Sequence, residues 1–292
     1  TADFNNDGYT DIYVCNDFHE DDYFYINNGD GTFTESVKTY FGHTGRFSMG
    51  SDVADINHDG YIDLLSLDML PEDEEVLKAS DGDESVDILQ LRINQLGYHY
   101  QFTRNMLQIN QQGNHFLETA LYSGVAATDW SWSALFADYN QDGEQDLFVF
   151  NGIPKRPNNL DYVKYISNEQ IQKKISQTKL VDNEALDLMP PGIVPNYIFE
   201  GKPGIGFQDR SGEWISKDPM ISNGSAYADF DNDGDLDVVA NNLNSTPALY
   251  ENKTNEKAAY LKVKLEFEKA NRFAIGAKVI AYHQGLAQHR QL

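Results

Sequence analysis

Four stretches of this 292-residue chain repeat one pattern of oxygen-bearing side chains, Asp-x-Asn/Asp-x-Asp-Gly-x-x-Asp. The first is Asp3, Asn5, Asp7, Gly8 and Asp11, and the second is Asp55, Asn57, Asp59, Gly60 and Asp63. The third is Asp138, Asn140, Asp142, Gly143 and Asp146, and the fourth is Asp229, Asp231, Asp233, Gly234 and Asp237. An alanine precedes the first aspartate each time. Side chains at positions 1, 3, 5 and 9, with the main-chain carbonyl of position 7, can converge on one hard cation, and glycine at position 6 permits the sharp turn. The carbonyls belong to Tyr9, Tyr61, Glu144 and Asp235. A flexible array of protein oxygens suits calcium better than strictly octahedral magnesium, and no Cys or His set points to zinc. The expectation is about four Ca2+ ions, one per loop, with the extra carboxylates of Glu144 and Asp235 solvated and not ligating.

The residues that follow decide what holds these loops. A calcium loop between two helices needs a bidentate Glu at position 12, where this chain has Val14, Ser66, Val149 or Ala240. Instead each last Asp leads into a short apolar run, such as Ile12-Tyr13-Val14 or Leu147-Phe148-Val149, ending five positions on in Asn16, Asp68, Asn151 or Asn242. Runs of this length and composition are strands. A third strand is expected at Tyr23 to Ile26, Met106 to Ile109, Asn196 to Phe199 and Ala248 to Tyr250. A turn and a fourth strand follow, most clearly at Asn27-Asn28-Gly29-Asp30-Gly31 before Thr32-Phe33-Thr34, where Asn and Gly supply positive φ. First strands are expected at Phe47 to Ala54, Ser131 to Ala137 and Ser225 to Ala228; the first copy lacks one, so the chain reads as starting inside a unit. Each unit is one four-stranded antiparallel blade, and the fold class is an all-β β-propeller, about four blades of it.

The loops begin 52, 83 and 91 residues apart, so two units carry insertions between strands 2 and 3. One covers about Met69 to Arg104, with a helical pattern through Val86, Leu89, Ile93 and Leu96. The other covers Gly152 to Pro195, where Ser167 to Gln170 forms a capping box before Ile171 and Ile175. Helix is expected only in these insertions. Connections alternate between ends in an antiparallel meander, so the cation loops and the strand 3 to 4 turns share one face and both insertions lie on the other. The insertions either cover the propeller or shape its binding surface for a protein or glycan ligand.

Composition removes several classes of function. Formal net charge is −24, from 46 acidic and 22 basic residues, which repels nucleic acid and anionic lipid. Four divalent ions would offset eight of those charges. No apolar run approaches a membrane span. The lone Cys15 forms no internal disulfide and sits in an apolar run as a small hydrophobe. No nucleophile elbow, phosphate loop or hydrolase His pair occurs, so no catalytic residue is assigned and the chain reads as a binder, not an enzyme. A carbohydrate-binding or polymer-degrading role is the alternative, requiring a groove on the insertion face lined by aromatics such as Tyr98, Tyr100, Tyr162 or Tyr165. Trp130 and Trp132, two apart in a strand, are expected to face the same way and to pack the blade, with a sugar-stacking platform as the alternative.

Blades with this loop, followed by a segment like Asn27-Asn28-Gly29-Asp30-Gly31-Thr32-Phe33, resemble the FG-GAP and VCBS repeats of integrin-α-like propellers. The resemblance covers residues 1–255. After a strand-like Tyr260 to Leu265, the stretch Asn271 to Val279 looks like the opening of an ASPIC/UnbV-type domain, which would occupy 256–292. These resemblances imply a seven-bladed ring and an extracellular or cell-surface setting that includes the bacterial periplasm or outer surface; no enzymatic activity follows from either.

Overall fold

The computed structural model describes residues 1–18, 20–80, 85–169, 171–173, 183–254, 260–267, 271–283 and 285–292. Runs rich in aromatic and branched residues become strands wherever Asp, Asn and Gly bound them. The first unit is an antiparallel sheet of β1 (Ile12–Val14), β2 (Tyr23–Asn27) and β3 (Phe33–Glu35). A two-residue strand, β4 (Thr44–Gly45), then leads into the second unit, β5 (Ser51–Ala54) and β6 (Asp63–Ser66). After β7 (Gln101–Phe102), which pairs in parallel with β4, that unit closes with β8 (Met106–Asn110) and β9 (Phe116–Glu118). The third is β10 (Ser131–Ala137), β11 (Asp146–Asn151), β12 (Tyr197–Gly201) and β13 (Phe207–Asp209). The fourth is β14 (Ser222–Ala228), β15 (Asp237–Asn242) and β16 (Ala248–Tyr250). A separate hairpin, β17 (Lys278–His283) with β18 (Leu286–Gln291), follows.

Within each unit the strands lie in chain order, as in a propeller blade, and the fold is all-β. The innermost strands of neighbouring units stand side by side. Ser133 Oγ of β10 and Ser225 Oγ of β14 are 2.8 Å apart, and the Phe136 amide donates to Asp52 Oδ2 of β5 at 2.7 Å. Three apolar clusters fill the gaps between sheets. Phe4, Phe24, Val37, Phe41, Leu64 and Phe116 join the first and second units. Leu65, Leu107, Phe136, Leu147, Val149 and Phe199 join the second and third, and Phe148, Phe150, Ile198, Val238 and Ala240 join the third and fourth. Each large side chain so buried contributes roughly 1.5–3 kcal/mol.

A buried chain of polar groups runs through the same blades at the end of the strands away from the loops. Asn105 Oδ1 accepts the Asp68 amide at 2.8 Å, and its Nδ2 donates to Thr128 Oγ1 at 2.6 Å. Thr128 meets Ser131, whose hydroxyl donates to Asn151 Oδ1; the Asn151 amide donates to Asn196 Oδ1. Asn196 then donates to Ser222, and Ser222 to Asn242 Oδ1. In the first unit Asp22 takes the place of Asn105, accepting from the Asn16 amide, Tyr13 Oη and Ser48 Oγ. Burial pushes Asp22 up to about 6 and Asp68 up to about 7. The residues ending each second strand are therefore links in a belt, since a buried polar group without a partner costs free energy.

Several expectations need correction. The first strand of the second unit starts at Ser51, not Phe47, although Met49 and Leu67 extend the pairing with single bonds. In the third unit the register shifts between Ser131 and Ser133, so Trp132 is the bulged residue and Trp130 precedes the strand. The same-face argument for the two tryptophans therefore fails; Trp132 Nε1 donates to the Gly152 carbonyl at 2.8 Å. Helix is not confined to the insertions. One-turn helices at Val37–Tyr40 and Ala120–Ser123 follow β3 and β9. There Glu35 and Glu118 accept the amides of Val37 and Ala120, at 2.8 and 2.7 Å, and so cap the turn. Residues 260–265 lie outside any strand, because a strand exists only by pairing and the hairpin beside them pairs with itself. The fourth unit has three strands among the described residues, and 255–259, where its fourth would fall, are not among them.

The first insertion holds helices Glu74–Lys78 and Val86–Leu91, capped by Asp73 and Ser85, with a π-helical turn Arg92–Leu96. The second holds Leu160–Ile166, capped by Asn159, and Asn183–Leu188. Of the expected box, Gln170 and Ile175 lie outside the described residues. The two insertions touch, with the Leu160 amide donating to the Ala79 carbonyl at 2.8 Å. They form one layer.

Candidate metal centres

Each loop folds on its own amides. In the first, Asp3 Oδ1 and Asn5 Oδ1 both accept the Asp7 amide at 3.0 Å, Asp3 Oδ2 accepts Gly8, and Asp7 Oδ1 accepts Tyr9 at 2.8 Å. The second repeats this with Asp55, Asn57, Asp59, Gly60 and Tyr61, and the third with Asp138, Asn140, Asp142, Gly143 and Glu144. One amide shared by oxygens of positions 1 and 3 places those oxygens close together, facing the inside of the turn. The bend needs two left-handed residues. Position 4 has φ of 57–63° at Asn6, His58, Gln141 and Asn232, and position 6 is the glycine, with φ of 87–102°.

Position 9 is a staple. Asp11, Asp63, Asp146 and Asp237 are buried, and in each one carboxylate oxygen accepts the amide of position 2 while the other accepts an amide at the end of the third strand. For Asp63 these donors are Ile56 at 2.9 Å and Asn110 at 2.8 Å. Burial pushes Asp63 up to about 8 and Asp146 up to about 7, against the pull of those amides. Each oxygen keeps a further lone pair for a cation. Asn27, Asn110 and Asn252 also send side-chain amides to loop carbonyls, those of Thr10, Ile62 and Leu236. The third unit has Gly201 there, and a Cβ would run into the Gln145 carbonyl. An insertion puts Asn110 47 residues from Asp63, against 16 and 15 for Asn27 and Asn252 from their aspartates, which hides the repeat of these asparagines in the sequence.

Neighbouring loops are joined through position 4. Asn6 donates to the Gly60 carbonyl and Gln141 to the Gly234 carbonyl, each at 3.0 Å, while the His58 ring lies 3.0 Å from Glu144 Oε2. Glu144 is thus held by His58 instead of standing free in solvent.

The fourth loop differs in charge. Oxygens of Asp229, Asp231 and Asp233 lie within 4.8 Å of one another, the one such acidic group among the described residues. Asp235, expected to be solvated, is 1 % exposed, and neither of its carboxylate oxygens has a hydrogen-bond partner; Asp229 Oδ1 is likewise buried without one. Burial, then the charge of Asp233, pushes Asp235 up to about 6. Buried oxygens without donors on Asp229 and Asp235, in a loop where three carboxylates converge, form a donor set suited to a hard divalent cation. The other three loops satisfy more of their oxygens internally, yet offer the same positions.

On the insertion face, a shallow cavity bounded by Asp161, Lys164, Tyr165, Asn168 and Ile171 takes only Tyr165 of the four tyrosines proposed to line a sugar groove. Tyr98 lies under Arg92, and Tyr100 packs edge-on against His99. A second cavity, about 370 Å³, lies on the loop face under the C-terminal hairpin, with Asp55, Asp138, His289 and Arg290 in its wall. Cys15 is half-buried against the first apolar cluster, and burial pushes its thiol up to about 12.

A family model of FG-GAP-like repeats matches residues 3–66, from the first loop through the second to the strand behind it. No curated protein matches the chain.

Proposed function

Starting from an FG-GAP-like repeat over residues 3–66 and an all-β fold of blade-like sheets, we propose that the four loops each hold one calcium ion and that the chain is a non-catalytic binding module. The ligands are the side chains of positions 1, 3, 5 and 9 with the carbonyl of position 7, and in the fourth loop the Asp235 carboxylate joins them. The observation that carries this reading is the convergence of Asp229, Asp231 and Asp233, with a buried, donorless carboxylate at Asp235 in the same loop. A bound ion supplies the counter-charge that lets these acids stay ionised and close, so its role is structural.

The same reading makes the sheets blades of a seven-bladed ring in an extracellular or cell-surface protein, with 256–292 opening an ASPIC/UnbV-type domain. The partner, a protein or glycan, binds the insertion face, where Val86 and Leu96 are more than half exposed and Ile88, Leu91 and Tyr100 nearly so. Among the described residues no helix is long and apolar enough to cross a membrane.

Binding to the folded chain alone stabilises by about 2.7 kcal/mol per site at a hundredfold excess over Kd. The melting temperature therefore rises in calcium over excess chelator, and Asp142→Ala shrinks the rise. Equal melting temperatures of the parent in both conditions would show the loops to be without a structural ion.

A further inference from the structure

The segment after the fourth unit lies across the loop face and pairs lysines with the first aspartates of the first and fourth loops. Lys278 Nζ is 2.8 Å from Asp3 Oδ2 and also donates to Asn6 Oδ1, while Gln291 Oε1 accepts the Asp3 amide at 3.1 Å. Lys262 Nζ is 3.0 Å from Asp229 Oδ2. Between these, the His289 ring packs against Gly60, and Arg290 lines the cavity that Asp55 and Asp138 also wall, with its guanidinium on the Gln145 amide oxygen. Gln288 Nε2 adds a bond to the Gly143 carbonyl at 3.2 Å.

We infer that the C-terminal segment and divalent cations compete for the same loops, so that ion loading loosens the segment from the loop face. This rests on the calcium reading above. The lysines stand where a counter-charge is needed. Asp3 is 2 % exposed and its side chain accepts three donors, one of them Lys278, whereas the lysine itself is partly in solvent. A divalent ion ligated by Asp3 or Asp229 would sit within a few ångströms of an ammonium group, and like charges at that range repel. The ion neutralises the carboxylate that held the lysine, so each ligand lowers the other's affinity by the same factor. The effect is larger at Asp3, whose carboxylate is buried, than at Asp229, where Lys262 is mostly exposed and its ion pair is weak.

The test uses the full chain, calcium chloride as the probe, and two readouts. Calorimetry compares the parent with K262Q/K278Q and with the charge-retaining K262R/K278R. Tryptic cleavage after Lys278, relative to cleavage after Lys164 in the distant insertion, reports undocking in the parent. The expected result is about fivefold tighter calcium binding at two sites in the Gln variant. The Arg variant should stay near the parent, and cleavage at Lys278 should accelerate when calcium is added. If the parent binds calcium but the Gln variant binds no more tightly and cleavage does not change, the competition is refuted and the calcium reading stands. If the parent binds no calcium, both fall.

Discussion

The second and fourth loops have the same backbone and opposite electrostatic needs. His58 and Asn232 have φ of 60° and 63°, and Gly60 and Gly234 have φ of 87° and 100°. In the second loop three aspartates accept amides from within the loop or its blade, and position 7 is the neutral Tyr61. The fourth loop fits five aspartates into that shape and leaves oxygens of Asp229 and Asp235 without donors. The shape therefore comes from the Asp, Asn and Gly spacing and its local hydrogen bonds. On the calcium proposal, the need for an ion grows with the number of further carboxylates added to that shape.

The largest expected effect separates the loops from the polar belt. Asp63 and Asp146 in the loops, and Asp22 and Asp68 in the belt, are all raised by burial to between about 6 and about 8. For an acid raised in the folded state, stability is fully present below the ordinary carboxylate range and is lost as pH rises through the folded value. In excess chelator the melting temperature should therefore fall between about pH 5 and about pH 8. Calcium should recover the part due to Asp63 and Asp146 and leave the part due to Asp22 and Asp68. Thermal scans across pH, with and without calcium, check this; full recovery would show that the belt acids do not titrate in that window.

Next in size is Asp63→Ala. It strips the acceptor from two buried amides and should cost about 3 kcal/mol in chelator as well as in calcium, read by denaturant unfolding. A cost seen only in calcium would mean that Asp63 is a ligand and not a staple.

Smaller, and opposite in sign, is Asp235→Asn. Removing a buried charge without a donor should stabilise the calcium-free protein by about 1 kcal/mol while reducing the gain on adding calcium. At the same position of the second loop, Tyr61→Phe should change either state by less than about 0.5 kcal/mol. Matching behaviour of the two variants would erase the distinction between the loops.

The loops, the strand order and both insertions were legible because each is written within a few residues. The staple donors were not, since insertions put Asn110 and Gly201 47 and 55 residues from their aspartates, against 16 and 15 for Asn27 and Asn252. The belt shows the same limit. Asp68 and Asn151 stood out as polar ends of apolar runs, but their partners Asn105 and Asn196 lie beyond the insertions. Local spacing carries no record of such pairing, nor of Lys278 reaching Asp3 from the far end of the chain. The burial of Asp235 is not legible because position 7 is expected to act through its carbonyl with its side chain in solvent, and the neighbours that cover that side chain come from the fold.

The most direct measurement is calorimetric titration of the metal-free chain with calcium and, separately, with zinc. The account predicts close to four calcium sites, fewer by about one in a variant with Asp231 and Asp233 both changed to Ala, and no preference for zinc. Fewer than two calcium sites, or tighter binding of zinc, would contradict it.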